Sequence, residues 1–241
     1  MRLILVQTGN TLPAIAEQKG DFDTMFLRGL FGDPSGEDVV HVDPREGDPF
    51  PDPTEADAVL VTGSASMVTE RLDWSERTKD WLPRVLEAEV PLLAVCYGHQ
   101  LLAEATGGRV GKNPNGREIG TIEVTLTDAG QADELLGALE GPVLSMQSTH
   151  VESVLELPPS ATLLGHTPLD PHQSFRVGER AWGVQFHPEI DADVSRWYVE
   201  GRAEIIRDEG LDPDALAAAV RDTPAGPALL RRFIELVREG A

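Results

Sequence analysis

The stretch Pro91-Leu92-Leu93-Ala94-Val95-Cys96-Tyr97-Gly98-His99-Gln100 decides the fold, because its periodicity changes in mid-run. Five residues without a polar interruption suit a strand buried on both faces, and Gln100-Leu101-Leu102-Ala103-Glu104-Ala105 then begins a helical pattern. Strand, tight turn and helix place Cys96 at the apex. Ala94 and Gly98, two residues to either side, are small enough for the sharp bend of a nucleophile elbow. A thiol at that point meets the positive end of the helix, which favours the reactive thiolate. A lone cysteine after a strand is also common as buried filler, so the neighbouring motifs decide between the two.

Outward from this unit the same alternation recurs. Short, mostly apolar runs predict strands at Arg2–Gln7, Asp38–Val42, Ala58–Thr62, Pro91–Val95, Thr121–Leu126, Pro142–Met146 and Trp182–Phe186. Helical patterns fall at Thr11–Leu30, Trp74–Ala88, Gln100–Thr106 and Ala132–Leu139. Alternation of this kind predicts an α/β fold with a mostly parallel sheet and helices on both faces. The Pro-rich segment Asp43–Pro53 is too short for an interdomain linker and reads as a surface loop. With 241 residues and 41% hydrophobic content, the expectation is one domain over residues 1–241. Its end, about 193–241, is a helical extension (193–207, 213–221, 225–239). The apolar stripe Leu229, Leu230, Phe233, Ile234 and Val237 fits core packing or a homodimer contact.

The second constellation is Gln185-Phe186-His187-Pro188-Glu189. Pro188 keeps His187 extended, and residues two apart in an extended chain face the same side. An imidazole and its orienting carboxylate need that geometry when the ring takes a thiol proton.

The 41 acidic against 20 basic residues give a net charge of -21, which repels nucleic-acid phosphates and anionic membranes. Lys19, Lys79 and Lys112 are the only lysines, and no basic run forms. So acidic a surface fits a cytoplasm of very high salt, where screening removes self-repulsion. No apolar stretch approaches the roughly 20 residues of a membrane span, and no secretory signal pattern opens the chain. Cytoplasmic residence is therefore expected. One cysteine forms neither an intramolecular disulfide nor a thiolate metal cluster, and His99, His166 and His172 lack ligand spacing. No metal or cofactor is expected.

With these residues quoted, the chain resembles the class I glutamine amidotransferases, in particular stand-alone GMP synthase-like members. The resemblance rests on Cys96-Tyr97-Gly98-His99-Gln100, on Gly107-Gly108-Arg109-Val110 with Glu118-Ile119-Gly120, on His150, and on Gly183 to Glu189, in the family's order. It implies a three-layer α/β/α sandwich of flavodoxin-like kind. It also implies Cys96 as nucleophile, His187 as acid and base, and Glu189 as the group orienting His187. Oxyanion donors would come from the amide of Tyr97 and from the loop Thr62–Ser66, at Gly63 or Ser64. There Ser64 and Ala65 replace the family's second glycine and proline. Gln100 matches a substrate-holding position, and His150, Val151 and Glu152 match the backbone clamp on the substrate's amino-acid end.

Three functions stay open. The chain is the ammonia-producing half of a synthase whose acceptor subunit is separate, since it has no G-x-x-x-x-G-K-[ST] loop. Or it is a free-standing γ-glutamyl hydrolase or peptidase acting on glutamine or a γ-glutamyl compound. Or it is a non-catalytic binding relative, against which the intact Cys96, His187 and Glu189 argue.

Overall fold

Uninterrupted apolar strands feed two cores at once, and that property organises the molecule. The structure is a computed structural model and describes residues 1–32 and 37–240. Its strands are β1 (Arg2–Val6), β2 (Asp38–Val42), β3 (Ala58–Val61), β4 (Leu92–Val95), β5 (Arg109–Lys112), β6 (Glu118–Leu126), β7 (Val143–His150), β8 (Glu152–Glu156), β9 (Ala161–His166), β10 (Ser174–Val177) and β11 (Ala181–Val184). Its helices are α1 (Pro13–Lys19), α2 (Phe22–Phe31), α3 (Asp73–Glu87), α4 (Tyr97–Ala105), α5 (Asp128–Gln131), α6 (Ala192–Gly201), α7 (Ala203–Asp208), α8 (Pro213–Ala219) and α9 (Ala225–Glu239).

Along β4, Leu93 and Val95 enter one core while Leu92 and Ala94 enter the other. Strands β1 and β3 split in the same way, with Leu3, Leu5 and Leu60 on one side and Ile4, Val6, Val59 and Val61 on the other. Helices α1, α2, α6 and α9 cover the first face, and α3 and α4 cover the second. The three-layer α/β/α sandwich is therefore present, each buried Leu or Val contributing about 1.5–3 kcal/mol.

The main sheet has the order β2-β1-β3-β4-β11-β10-β9-β6-β7, with β5 and β8 pairing as a separate ribbon. From β2 through β11 the pairing is parallel, and β10, β9, β6 and β7 continue it antiparallel. Only β10 and β6 consequently run against the common direction. The carboxyl ends of β3, β4, β11 and β7 all open on one edge, where α/β sheets hold ligands.

Three helical readings change. The predicted helix Thr11–Leu30 is two, because Gly20 takes φ 85 and Asp21 then caps α2 through the amide of Phe22. The predicted helix Ala132–Leu139 is a run of turns. The buried Asp133 carboxylate accepts from the amides of Leu135 and Leu136 at 2.9 and 3.0 Å and from the Trp182 indole at 3.1 Å. Those local bonds displace the helical ones. The segment 193–207 breaks at Arg202, where φ is -113 and ψ 13, into α6 and α7. The α9 stripe is buried within the chain against α2 and β7. Ala241, the last residue assigned to the helical extension, lies outside the described residues. No helix among the described residues is long and apolar enough to cross a membrane.

Candidate active site

Cys96 occupies the turn between β4 and α4 with φ 52 and ψ -99. Positive φ at a non-glycine residue costs of order 1–3 kcal/mol and persists only where its surroundings impose it. Here the Cys96 amide donates to the Val184 carbonyl at 2.8 Å, and the Cys96 carbonyl accepts from the Gln100 amide at 3.1 Å. Gly98 completes the bend, since a Cβ there would lie 2.7 Å from the Val61 carbonyl oxygen. The elbow read from the sequence is therefore formed.

The second constellation arrives from β11. That strand ends at Val184, two residues before the predicted end, and the chain stays extended because the His187 amide donates to the Gln147 carbonyl at 2.8 Å. Nδ1–H of His187 donates to Oε1 of Glu189 at 2.6 Å, which directs Nε2 away from that carboxylate. Phe22 stacks on the imidazole with centroids 6.3 Å apart and planes at 18°. The His187 and Glu189 side chains are essentially inaccessible to solvent. Burial pulls the imidazole pKa down, but the charges of Glu189 and Cys96 outweigh it and raise the value to about 10. Cys96 is close enough for its charge to act on the ring, yet Nε2 makes no hydrogen bond among the described residues. Oε2 of Glu189 is likewise unpartnered.

The loop after β3 lies against both groups. A Cβ on Gly63 would be 3.0 Å from Cε1 of His187 and 3.8 Å from Sγ of Cys96, so glycine allows the close approach. The amides of Gly63, Ser64 and Tyr97 donate to no acceptor among the described residues. A cavity of about 230 Å³ opens over the thiol, lined by Ser64, Cys96, Tyr97 and Gln100 together with His150, Val151 and Glu152. Gly63, His187 and Glu189 do not line it, and Glu189 lines a separate cavity with Pro188 and Asp191. Seven of the ten predicted site residues line the cavity; Gly63 lies against Cys96 and His187, and His187 bonds Glu189.

The family model described as Glutamine amidotransferase class-I matches residues 38–197. The chain belongs to this family. It is 36% identical over 138 residues to a GMP synthase [glutamine-hydrolyzing] of Aeropyrum pernix, covering 57% of this chain and 25% of that enzyme. It is 29% identical over 149 residues to gamma-glutamyl peptidase 5 of Arabidopsis thaliana, covering 60% of this chain and 59% of the peptidase. The chain therefore spans a quarter of the one relative and about three-fifths of the other. A glutamine amidotransferase of known structure from Thermotoga maritima superposes with a TM-score of 0.75 at 21% identity, over 99% of this chain and 98% of that one, a likeness of fold.

Within this class I amidotransferase, two predicted contacts are built differently from their simplest reading. Nε2 of Gln100 donates to the Glu152 carbonyl at 2.9 Å and to the Gln185 side chain at 3.0 Å. His150 points Nδ1 at the same carbonyl at 2.9 Å and Nε2 at Glu118 at 3.1 Å. Both therefore hold the Glu152 carbonyl. The sequence reading missed Arg117 and Arg202, which also line the cavity. Neither sits in a motif, and Arg202 becomes visible only because α6 and α7 fold back over the sheet edge.

Proposed function

We propose that the chain hydrolyses the side-chain amide of glutamine or of a γ-glutamyl compound. Cys96 as thiolate attacks the γ-carbonyl carbon, forming the C–S bond. The amides of Tyr97 and of Gly63 or Ser64 stabilise the resulting oxyanion. Imidazolium His187 donates its proton to the nitrogen as the C–N bond breaks, releasing ammonia or an amine. Neutral His187 then takes a proton from water, whose oxygen attacks the thioester and frees glutamate and the thiolate. Glu189 holds the ring's tautomer throughout. The observation that carries this reading is the strained Cys96 beside an imidazole whose other nitrogen is held by Glu189, beneath a cavity.

In the first form of the proposal, ammonia passes to a separate GMP synthase-like acceptor subunit. In the second, the chain works alone on γ-glutamyl peptides, which is supported by its matching much more of the peptidase's length than of the synthase's. Its net charge of -21 supports a cytoplasm of high salt. Ammonia release from glutamine by the purified protein, set beside hydrolysis of a γ-glutamyl dipeptide, separates the forms. Activity on glutamine only with an acceptor subunit supports the first; activity on the dipeptide alone supports the second. Neither activity in any setting would sink both.

A further inference from the structure

Arg202 stands out for what it lacks. In a chain with 41 acidic residues, its guanidinium pairs with no carboxylate and makes no hydrogen bond among the described residues, and Nη1 is buried without a partner. Its carbon lies 4.6 Å from the centre of the Tyr198 ring, a cation–π contact that orients the group without neutralising it. Arg117 lines the same cavity. It is shared with Glu209 at 2.7 and 2.9 Å and close enough to repel Arg202. Burial, together with that repulsion, holds the Arg202 pKa below its ordinary value. A half-buried cation with its Nη1 enclosed and unpaired is costly, and a planar fork with free N–H groups beside a second arginine suits a carboxylate.

The position indicates which carboxylate. Gln100 and the Glu152 carbonyl form one flank of Cys96. Arg202 rests on Tyr198, whose hydroxyl bonds Thr11 at 2.5 Å; the Thr11 amide donates to Asp21, the cap of the helix whose Phe22 stacks on His187, so Arg202 belongs to the flank of His187. The amide nitrogen must leave toward His187, the group that protonates it.

We infer that Arg202, flanked by Arg117, is a carboxylate-binding subsite on the leaving-group side of Cys96, which makes the substrate class γ-glutamyl compounds with a second carboxylate beyond the scissile amide. This rests on the reading of Cys96, His187 and Glu189 as an amide-hydrolysing triad. Glutamine, whose leaving group is ammonia, leaves the subsite empty.

The test compares γ-glutamylglycine with γ-glutamylmethylamide, which has the same scissile amide without the second carboxylate. Calorimetric affinity is measured on Cys96→Ala, and kcat/KM on the protein with Cys96 intact. The expected preference for γ-glutamylglycine is about 10- to 100-fold, as for a charge-assisted bidentate pair. Arg202→Met erases that preference, Arg202→Lys keeps part of it, and Arg117→Met weakens it. Circular dichroism checks folding; should Arg202→Met not fold, the Lys and Arg117 variants carry the result. Equal handling of the two ligands by the unaltered subsite overturns the inference. So does an equal loss for both in Arg202→Met, which would place the guanidinium on the α-carboxylate. A binding preference without any turnover would instead retain the subsite and remove the triad reading.

Discussion

Two buried polar clusters stand side by side at the same edge of the sheet and are built on opposite rules. In the antiparallel part, Glu118 accepts from His150 at 3.1 Å, from Thr167 at 2.6 Å and from Gln173, while Ser153 donates to Asp170 at 2.7 Å. Nearly every polar atom there has a partner. In the parallel part, Cys96 is strained, and His187 Nε2, which feels the charge of Cys96, and Glu189 Oε2 are buried without a hydrogen-bond partner among the described residues. Satisfied burial marks a scaffold, whereas unsatisfied and strained burial marks a place kept ready for another molecule. The scaffold holds the segment from His150 to Glu152; the strained cluster contains the thiol.

If that contrast is right, the two clusters answer mutation differently. Cys96→Ala should lower turnover by about 10⁴-fold or more while thermal unfolding barely moves, because the lost group is small and acts as nucleophile. His187→Ala should cost nearly as much turnover and also stability, about 3–5 kcal/mol, since Glu189 would remain as a buried unpaired carboxylate. Glu189→Gln should be milder in turnover than His187→Ala, because the carboxylate orients the ring and the ring moves the proton. Equal wild-type turnover in both would make the strand end structural.

A pH profile sharpens the contrast. The His187 pKa of about 10 lies above its unfolded value of 6.5, so the ring's ionic contribution to stability is fully present below about pH 6.5 and is lost as pH rises toward 10. The alkaline limb of kcat/KM should fall as pH passes through about 10, where the proton for the leaving group is lost. In Glu189→Gln the limb should move to lower pH; an unmoved limb would assign it to another group.

Smaller effects belong to the scaffold and the surface. Glu118→Gln should cost about 1–3 kcal/mol in chemical denaturation with kcat nearly unchanged, because the network loses a charged acceptor that does not itself line the cavity. A collapse of kcat in the folded variant would break the division between the clusters. Potassium chloride should raise the melting temperature by screening repulsion among surface carboxylates. Full stability without salt would count against a high-salt origin.

The parallel half of the fold was legible because its strands are continuous apolar runs and its helices are separated from them by clear turns. The antiparallel strands β5, β8, β9 and β10 were not, since runs such as Ser174-Phe175-Arg176-Val177 mix polar and apolar residues with no period long enough to read. Cys96, His187 and Glu189 were legible because the Cys96 elbow and the His187-Pro188-Glu189 run after an apolar strand support each other, which neither does alone. The roles of Gln100 and His150 as braces for Glu152 were not, because they depend on which carbonyl lies opposite. Nor was the helix break at Arg202, where nothing in Gly201-Arg202-Ala203 marks a boundary beyond one glycine. Gly63 read as a candidate oxyanion donor; the structure adds that any side chain there would press on His187 and Cys96, so replacing it disturbs those two residues as well as the loop.

The central claim is that Cys96 becomes covalently bound to the γ-glutamyl group during turnover. Acid-quenching the protein during hydrolysis of γ-glutamylglycine or glutamine, followed by mass spectrometry of the peptide containing Cys96, reads this directly. A γ-glutamyl thioester on Cys96, absent in His187→Ala and chemically impossible in Cys96→Ala, is the predicted result. Steady ammonia or glycine release with Cys96 unmodified at every quench time, and with Cys96→Ala equally active, would contradict it.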